Sequence, residues 1–133
     1  MAIVPKIYKS TDIAKKMLHM ATEEGKTLTP MQLIKLVYLA HGWMLALYSR
    51  PLIDEDIEAW RYGPVIPNLY HAIKQYKSNP VHEISGQDEA IDDDALNVIT
   101  QVYNKYGYLN GIKLSMVTHA TNSPWERTWN NNK

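Results

Sequence analysis

Between Thr29 and Tyr48 apolar residues fall on nearly every side of a helical wheel. Leu33, Leu36, Val37, Ala40, Trp43, Met44 and Leu47 make one broad face, and Ile34, Leu39 and Leu45 widen it. The start of this helix is written in Thr29-Pro30-Met31-Gln32: a hydroxyl at the N-cap, proline at the first helical position and glutamine at the third, which is a capping box. A helix so apolar belongs at the centre of its domain, with Trp43 expected in the core. It should end near Tyr48, because Pro51 restricts the residue before it and cannot extend the hydrogen-bond ladder.

The flanking segments are more conventional. Ser10 is expected to cap a first helix in which Ile13, Ala14, Met17, Leu18 and Ala21 recur at helical spacing, closed by Gly25. Ile57 to Tyr62 reads as a short extended piece ended by Gly63-Pro64, and Val81 to Ser85 as a second strand pairing with it. Pro67 opens a short helix bearing Leu69, Tyr70, Ile73 and Tyr76, and Gly86 to Asp92 is polar enough for a loop. Asp92 to Asp94 stand at the start of another helix, where carboxylates meet the positive end of its dipole. Its apolar residues are Leu96, Ile99, Val102, Tyr103 and Tyr106. Asn110 caps the next one, which carries Ile112, Leu114, Met116 and Val117. A further capping box, Ser123-Pro124-Trp125-Glu126, opens a final turn ending at Trp129. The pattern predicts a mainly α, single compact domain over residues 1–133, with a buried central helix and a small two-stranded β element.

Composition narrows the function classes. The hydrophobic fraction of 45% is ordinary for a globular chain. Phenylalanine is absent, and 9 Tyr and 4 Trp take its place, so most aromatic side chains carry a polar tip that needs a partner when buried. The 14 basic and 14 acidic residues cancel, which gives no global bias towards nucleic acid. Without cysteine there is no disulfide, thiolate nucleophile or thiolate-bound metal. The central apolar run is interrupted by Lys35, His41 and Gly42 and is too short to span a bilayer. The N-terminus lacks a secretory apolar segment. These features lead us to expect a soluble, cytoplasmic protein with no membrane contact.

Candidate chemistry is sparse. Asp54-Glu55-Asp56-Ile57-Glu58 begins like a calcium loop but has Ala59 at the sixth place and Val65 at the twelfth, so a solvated loop fits better. The 5 histidines form neither an HExxH motif nor an i, i+4 pair. His41 and His119 read as hydrogen-bonded structural side chains. No nucleophile elbow or phosphate-binding glycine loop is present. Nothing argues for an enzyme, a metal or a cofactor. Lys15-Lys16 and the Lys74–Lys77 pair fit a solvated face. The central helix continues where a helix-turn-helix would need a short turn and a recognition helix. Trp60-Arg61-Tyr62-Gly63-Pro64 supports two readings. Trp60 and Tyr62 can enter the core beside a rigid turn, or the group can form a contact surface, since Trp, Tyr and Arg dominate interface hot spots.

Several segments, in order, resemble the signature of the Panacea domain, the antitoxin module of bacterial and phage toxin–antitoxin operons. They are Leu33-Ile34-Lys35-Leu36-Val37-Tyr38-Leu39-Ala40-His41-Gly42-Trp43, Glu58-Ala59-Trp60-Arg61-Tyr62-Gly63-Pro64-Val65, Tyr106-Gly107-Tyr108-Leu109, Leu114-Ser115-Met116-Val117-Thr118-His119 and Ser123-Pro124-Trp125. No single tripeptide is specific; the ordered set is. The chain departs from the pattern at Ile73 and Tyr103, where larger apolar or aromatic residues are expected, and at Gly111, a poor helix former. The resemblance implies a cofactor-free protein that neutralises an adjacently encoded protein toxin by direct contact. In the wider family it also implies adaptors that present a toxin to a cytoplasmic protease, and phage-associated proteins of prophages and mobile elements. The candidate partner-binding set is Trp60, Arg61, Tyr62, Pro64, Tyr70, His71 and Trp125. The alternative is a small nucleic-acid-binding regulator of a phage or mobile element.

Overall fold

Helix α2 (Pro30–Tyr48) is the pivot on which the other elements pack. The computed structural model describes residues 6–61, 63–86 and 90–118. Around α2 lie α1 (Ser10–Glu23), α3 (Pro67–Ile73), α4 (Asp93–Tyr106) and α5 (Gly111–Thr118), with strands β1 (Glu58–Trp60) and β2 (Gly63–Val65) between α2 and α3. The described residues are mainly helical and share one hydrophobic core. No helix among them is long and apolar enough to cross a membrane.

The capping box forms as expected. The Thr29 hydroxyl accepts from the Gln32 backbone N–H, and the Gln32 side chain accepts from the Thr29 N–H at 2.8 Å. Gln32 also bonds at long range. Its Nε2 donates to the Leu109 carbonyl at 2.9 Å, which ties the start of α2 to the α4–α5 turn. Burial along α2 is uneven. Leu33 to Tyr38, Ala40 and Met44 are buried, whereas Leu47 is 55% exposed and Trp43 only half-buried. Trp43 lies edge-on to Tyr106 (6.0 Å between centroids), with the Lys105 ammonium 5.4 Å from its ring. The expected central helix is therefore buried continuously only from Leu33 to Tyr38 and surfaces towards its end, where Ser49 takes a left-handed conformation before Pro51.

The sheet differs from expectation. Gly63 and Pro64 do not end a strand; they form one, paired antiparallel with β1 in the register Trp60↔Gly63, Ala59↔Pro64 and Glu58↔Val65. Gly63 has φ +110, a conformation glycine adopts without the steric cost of a Cβ. In a two-stranded ribbon each strand is an edge, where proline is tolerated. Val81 to Ser85 is not a strand. Its Val81 N–H donates to the Leu28 carbonyl at 2.8 Å, and Val81 and Ile84 bury their side chains, so this segment plugs the core beside α2.

Ser10 does not cap α1; Lys9 occupies that position without a side-chain bond. Glu55 supplies the missing acceptor, taking the Ser10 N–H at 2.8 Å and the Ser10 hydroxyl. The acidic run is thus solvated only in part. Helix α4 starts at the aspartates as expected, with Asp93 and Asp94 in its first turn, and Asp92 is in addition its N-cap, accepting from the Ala95 N–H. Asn110 caps α5 by accepting from the Lys113 N–H at 2.8 Å. Ile73 and Tyr103 are both core residues despite their departure from the family pattern. Gly111 has a local reason: a Cβ there would lie 2.9 Å from the Met31 sulfur and would have to displace that side chain from between α5 and α2.

Candidate functional site

A buried lysine holds the hairpin in place. Lys35, on the inner face of α2 and only 2% exposed, donates from Nζ to the Pro64 carbonyl at 2.8 Å. Burial pushes its pKa down to about 8. A charged group so enclosed needs such an acceptor, and the bond fixes β2 against α2. Pro64 and Val65 are buried in consequence.

Trp60 does not enter the core. It is half-exposed, packs edge-on against Tyr70 at 5.1 Å between centroids, and donates from Nε1 to Glu58 at 2.7 Å. Tyr70 in turn contacts the His71 ring at 5.4 Å, and His71 Nδ1 lies 3.3 Å from Lys74 Nζ. Arg61 is exposed in the turn of the hairpin. Hairpin and α3 together bring Trp60, Tyr70 and His71 into successive ring contact, with Arg61 exposed in the adjoining turn, whereas Pro64 is buried and, contrary to expectation, offers no surface to a partner. Tyr62 and Trp125, the other members of the candidate set, lie outside the described residues, as do His119 and the final capping box.

Beside Trp60 is a cleft of about 200 Å³, lined by Pro30, Met31, Ile34, Lys35, Trp60, Val65, Tyr70 and Lys77. Its walls are apolar apart from two lysines, and no acidic residue is among them. Lys77 has φ 56 and ψ −116, a conformation rarely held by a residue with a side chain. Sequence reasoning missed this cleft. Lys35 left a legible trace, a lone lysine in a helix otherwise apolar at that level. Met31 and Lys77 left none, because only the tertiary fold brings them to Trp60.

A second polar cluster lies at the other side of α2. Arg50 reaches Asp92 through both terminal nitrogens, at 2.5 and 3.3 Å, and the Tyr8 hydroxyl donates to Asp92 at 2.7 Å while accepting from its backbone N–H. Burial works to raise the Asp92 pKa, but the bonds from Arg50, the Ala95 N–H and Tyr8 outweigh it and bring it to about 2. Nearby, His41 Nδ1 accepts from the Leu52 and Ile53 N–H groups, and burial pushes its pKa down. These are the bonds of a structural histidine. Among the described residues no group of three or more histidines or carboxylates is placed to hold a metal.

Comparison with known proteins bears on what this arrangement serves. The chain is 29% identical over 135 residues to the protein named Antitoxin SocA of Caulobacter vibrioides (strain NA1000 / CB15N), an alignment covering 92% of this chain and 71% of that protein. No solved structure matches the chain. The family model described as "Antitoxin SocA-like, Panacea domain" matches residues 33–126, which include α2 from Leu33 onward, the hairpin, most of the cleft walls and α5. Such a match supports an antitoxin role and a regulatory rather than enzymatic protein: the chain belongs to the SocA-like antitoxin family of Panacea-domain proteins.

Proposed function

We propose that this chain, acting as one module, neutralises a protein toxin by stoichiometric direct contact. The contact region is the surface formed by Trp60, Arg61, Tyr70 and His71, with Tyr62 as their neighbour in sequence and the buried Pro64 anchoring β2. The observation that carries this reading is the hairpin. Its turn presents Arg61 beside a half-exposed aromatic pair, while the Lys35–Pro64 bond holds the hairpin against α2. Rigid aromatic and arginine side chains bind with little entropy loss. Family membership and the name of the Caulobacter relative support a toxin as the partner.

Co-expression with a toxin encoded beside it, followed by pull-down and growth rescue, tests the reading. Arg61→Ala should weaken the complex by about 2 kcal/mol, roughly thirtyfold, with little change in melting temperature. Unchanged affinity in a folded variant would exclude Arg61 from the contact. Failure of the unaltered chain to bind or rescue at equimolar levels would overturn the antitoxin reading itself. Delivery of the bound toxin to a cytoplasmic protease is its finer form, and it predicts a toxin half-life that shortens when this chain is present. The nucleic-acid alternative predicts instead a DNA affinity that falls steeply with salt.

A further inference from the structure

The charges of this neutral chain are sorted along the sequence. Residues 25–53 carry Lys26, Lys35 and Arg50 and no carboxylate; residues 59–82 carry Arg61, Lys74 and Lys77 and no carboxylate; residues 95–118 carry Lys105 and Lys113 and again none. The first two stretches supply every wall of the cleft, and the third supplies α5, which packs beside it. The nearest acid in sequence, Glu58, is turned to the Trp60 indole. Of these cations only Lys35 and Lys77 line the cleft: Lys35 is buried against the Pro64 carbonyl, and Lys77 stands exposed beside an otherwise apolar lining.

Its size decides what enters. About 200 Å³ is below the ~300–1,000 Å³ typical of small-molecule and cofactor sites, and suits one bulky side chain. The apolar surface continues outward from Met31, which lines the cleft and touches α5: its sulfur lies 3.6 Å from the Ser115 hydroxyl. On α5, Ile112 is 73% and Met116 67% exposed, with Lys113 between them. Methionines adapt their shape to a partner. Trp60 and Tyr70 turn edge to face on one another, which does not offer the open ring faces that bind successive bases.

Resting on the antitoxin reading, we propose that this surface takes an acidic amphipathic segment of the partner protein. One bulky apolar side chain of that segment fills the cleft between Met31, Ile34, Trp60 and Tyr70, and its flanking carboxylates meet Lys77 and Lys113. Apolar burial supplies the affinity, and the lysines set orientation and exclude basic segments. The strained Lys77 backbone is consistent with a residue held at a binding rim.

The test uses the full chain and the co-encoded toxin, together with overlapping synthetic peptides covering the toxin sequence and a single-stranded oligonucleotide. Lys77→Glu and Met31→Asp should each weaken toxin binding about tenfold or more, while Lys105→Glu, whose ammonium lies over Trp43 and Tyr106, should change it less than about twofold. Retained peptides should carry net negative charge and lose binding when their bulky apolar residue becomes alanine. Replacing their carboxylates with lysine should restore binding to Lys77→Glu. Toxin binding by the unaltered chain that neither Lys77→Glu nor Met31→Asp weakens would overturn the cleft proposal and leave the antitoxin reading standing. So would retention of basic or neutral peptides, or an oligonucleotide that binds more tightly than any peptide. A toxin that does not bind the unaltered chain would instead sink the antitoxin reading.

Discussion

The Tyr8–Arg50–Asp92 cluster and the Trp60–Tyr70 cleft use similar residue types to opposite ends. At the first, tyrosine, arginine and aspartate satisfy one another across residues distant in sequence and join the N-terminal segment, the end of α2 and the start of α4. At the second, Trp60 and Tyr70 pack edge-on beside an apolar cleft whose walls include the exposed Lys77 and no carboxylate. Polar groups that face each other hold a fold together. Polar and aromatic groups that face outward around an apolar cleft are available to something else. On the proposed reading, stability lies at one end of α2 and recognition at the other.

The largest effect expected from this division is at Asp92. Asp92→Ala removes the N-cap of α4 and leaves Arg50, whose side chain is 15% exposed, with only the more distant Asp94 carboxylate at 3.8 Å. Loss of a cap costs about 1 kcal/mol, and weakening the pairing of a mostly buried charge adds to it. We expect about 2–4 kcal/mol lost in denaturant unfolding, with toxin affinity of the folded fraction unchanged. Reduced affinity at full folding would break the comparison. The acid dependence has a definite sign. The folded pKa is depressed to about 2 from an ordinary 3.8, so this contribution is present above the ordinary value and is lost as pH falls towards 2.

Lys35 gives a smaller effect in the alkaline range. Its folded pKa lies near 8 against an ordinary 10.5 because burial disfavours the ammonium. Below pH 8 both folded and unfolded chains hold the proton and the burial cost is complete. Above it the unfolded chain binds more protons, so stability rises with pH. The gain between pH 7 and 9 should be about 1 kcal/mol, and Lys35→Met should flatten that slope. Burial raises the pKa of Tyr8 and takes Tyr103 to about 12. Those groups favour the protonated folded state, and their contribution is lost only as pH rises above the ordinary 10. The window between 8 and 10 thus isolates the lysine.

Local signals are legible in the sequence and long-range pairings are not. The capping box at Thr29, the Asp92 and Asn110 caps and the Pro67 start all act within a few residues, and each appears where the spacing puts it. The strand partner of Glu58–Trp60 leaves no such mark, because the pairing depends on a turn two residues long with Gly63 at positive φ, and Gly63-Pro64 signals a stop equally well. Glu55 reaching the start of α1 is a contact across 45 residues, with no local sign. The candidate set divides in the same way. Trp60, Arg61 and Tyr70 are visible as a hot-spot composition, whereas Met31 and Lys77 join them only through tertiary packing.

The smallest stability effect is expected where the functional effect is large. Trp60→Ala removes a ring that is half-exposed and meets one aromatic neighbour edge-on. Such a pair contributes about 0.5–1.5 kcal/mol beyond its area, against roughly 3–5 kcal/mol for a tryptophan in a packed core. Its indole bond to Glu58 is exposed and worth little, because water replaces it. Denaturant unfolding should therefore show a loss of about 1 kcal/mol or less, and growth rescue by the same variant should fail. A loss near the core value would place Trp60 with the stabilising residues. The division along α2 would then have to be redrawn with the hairpin on the structural side.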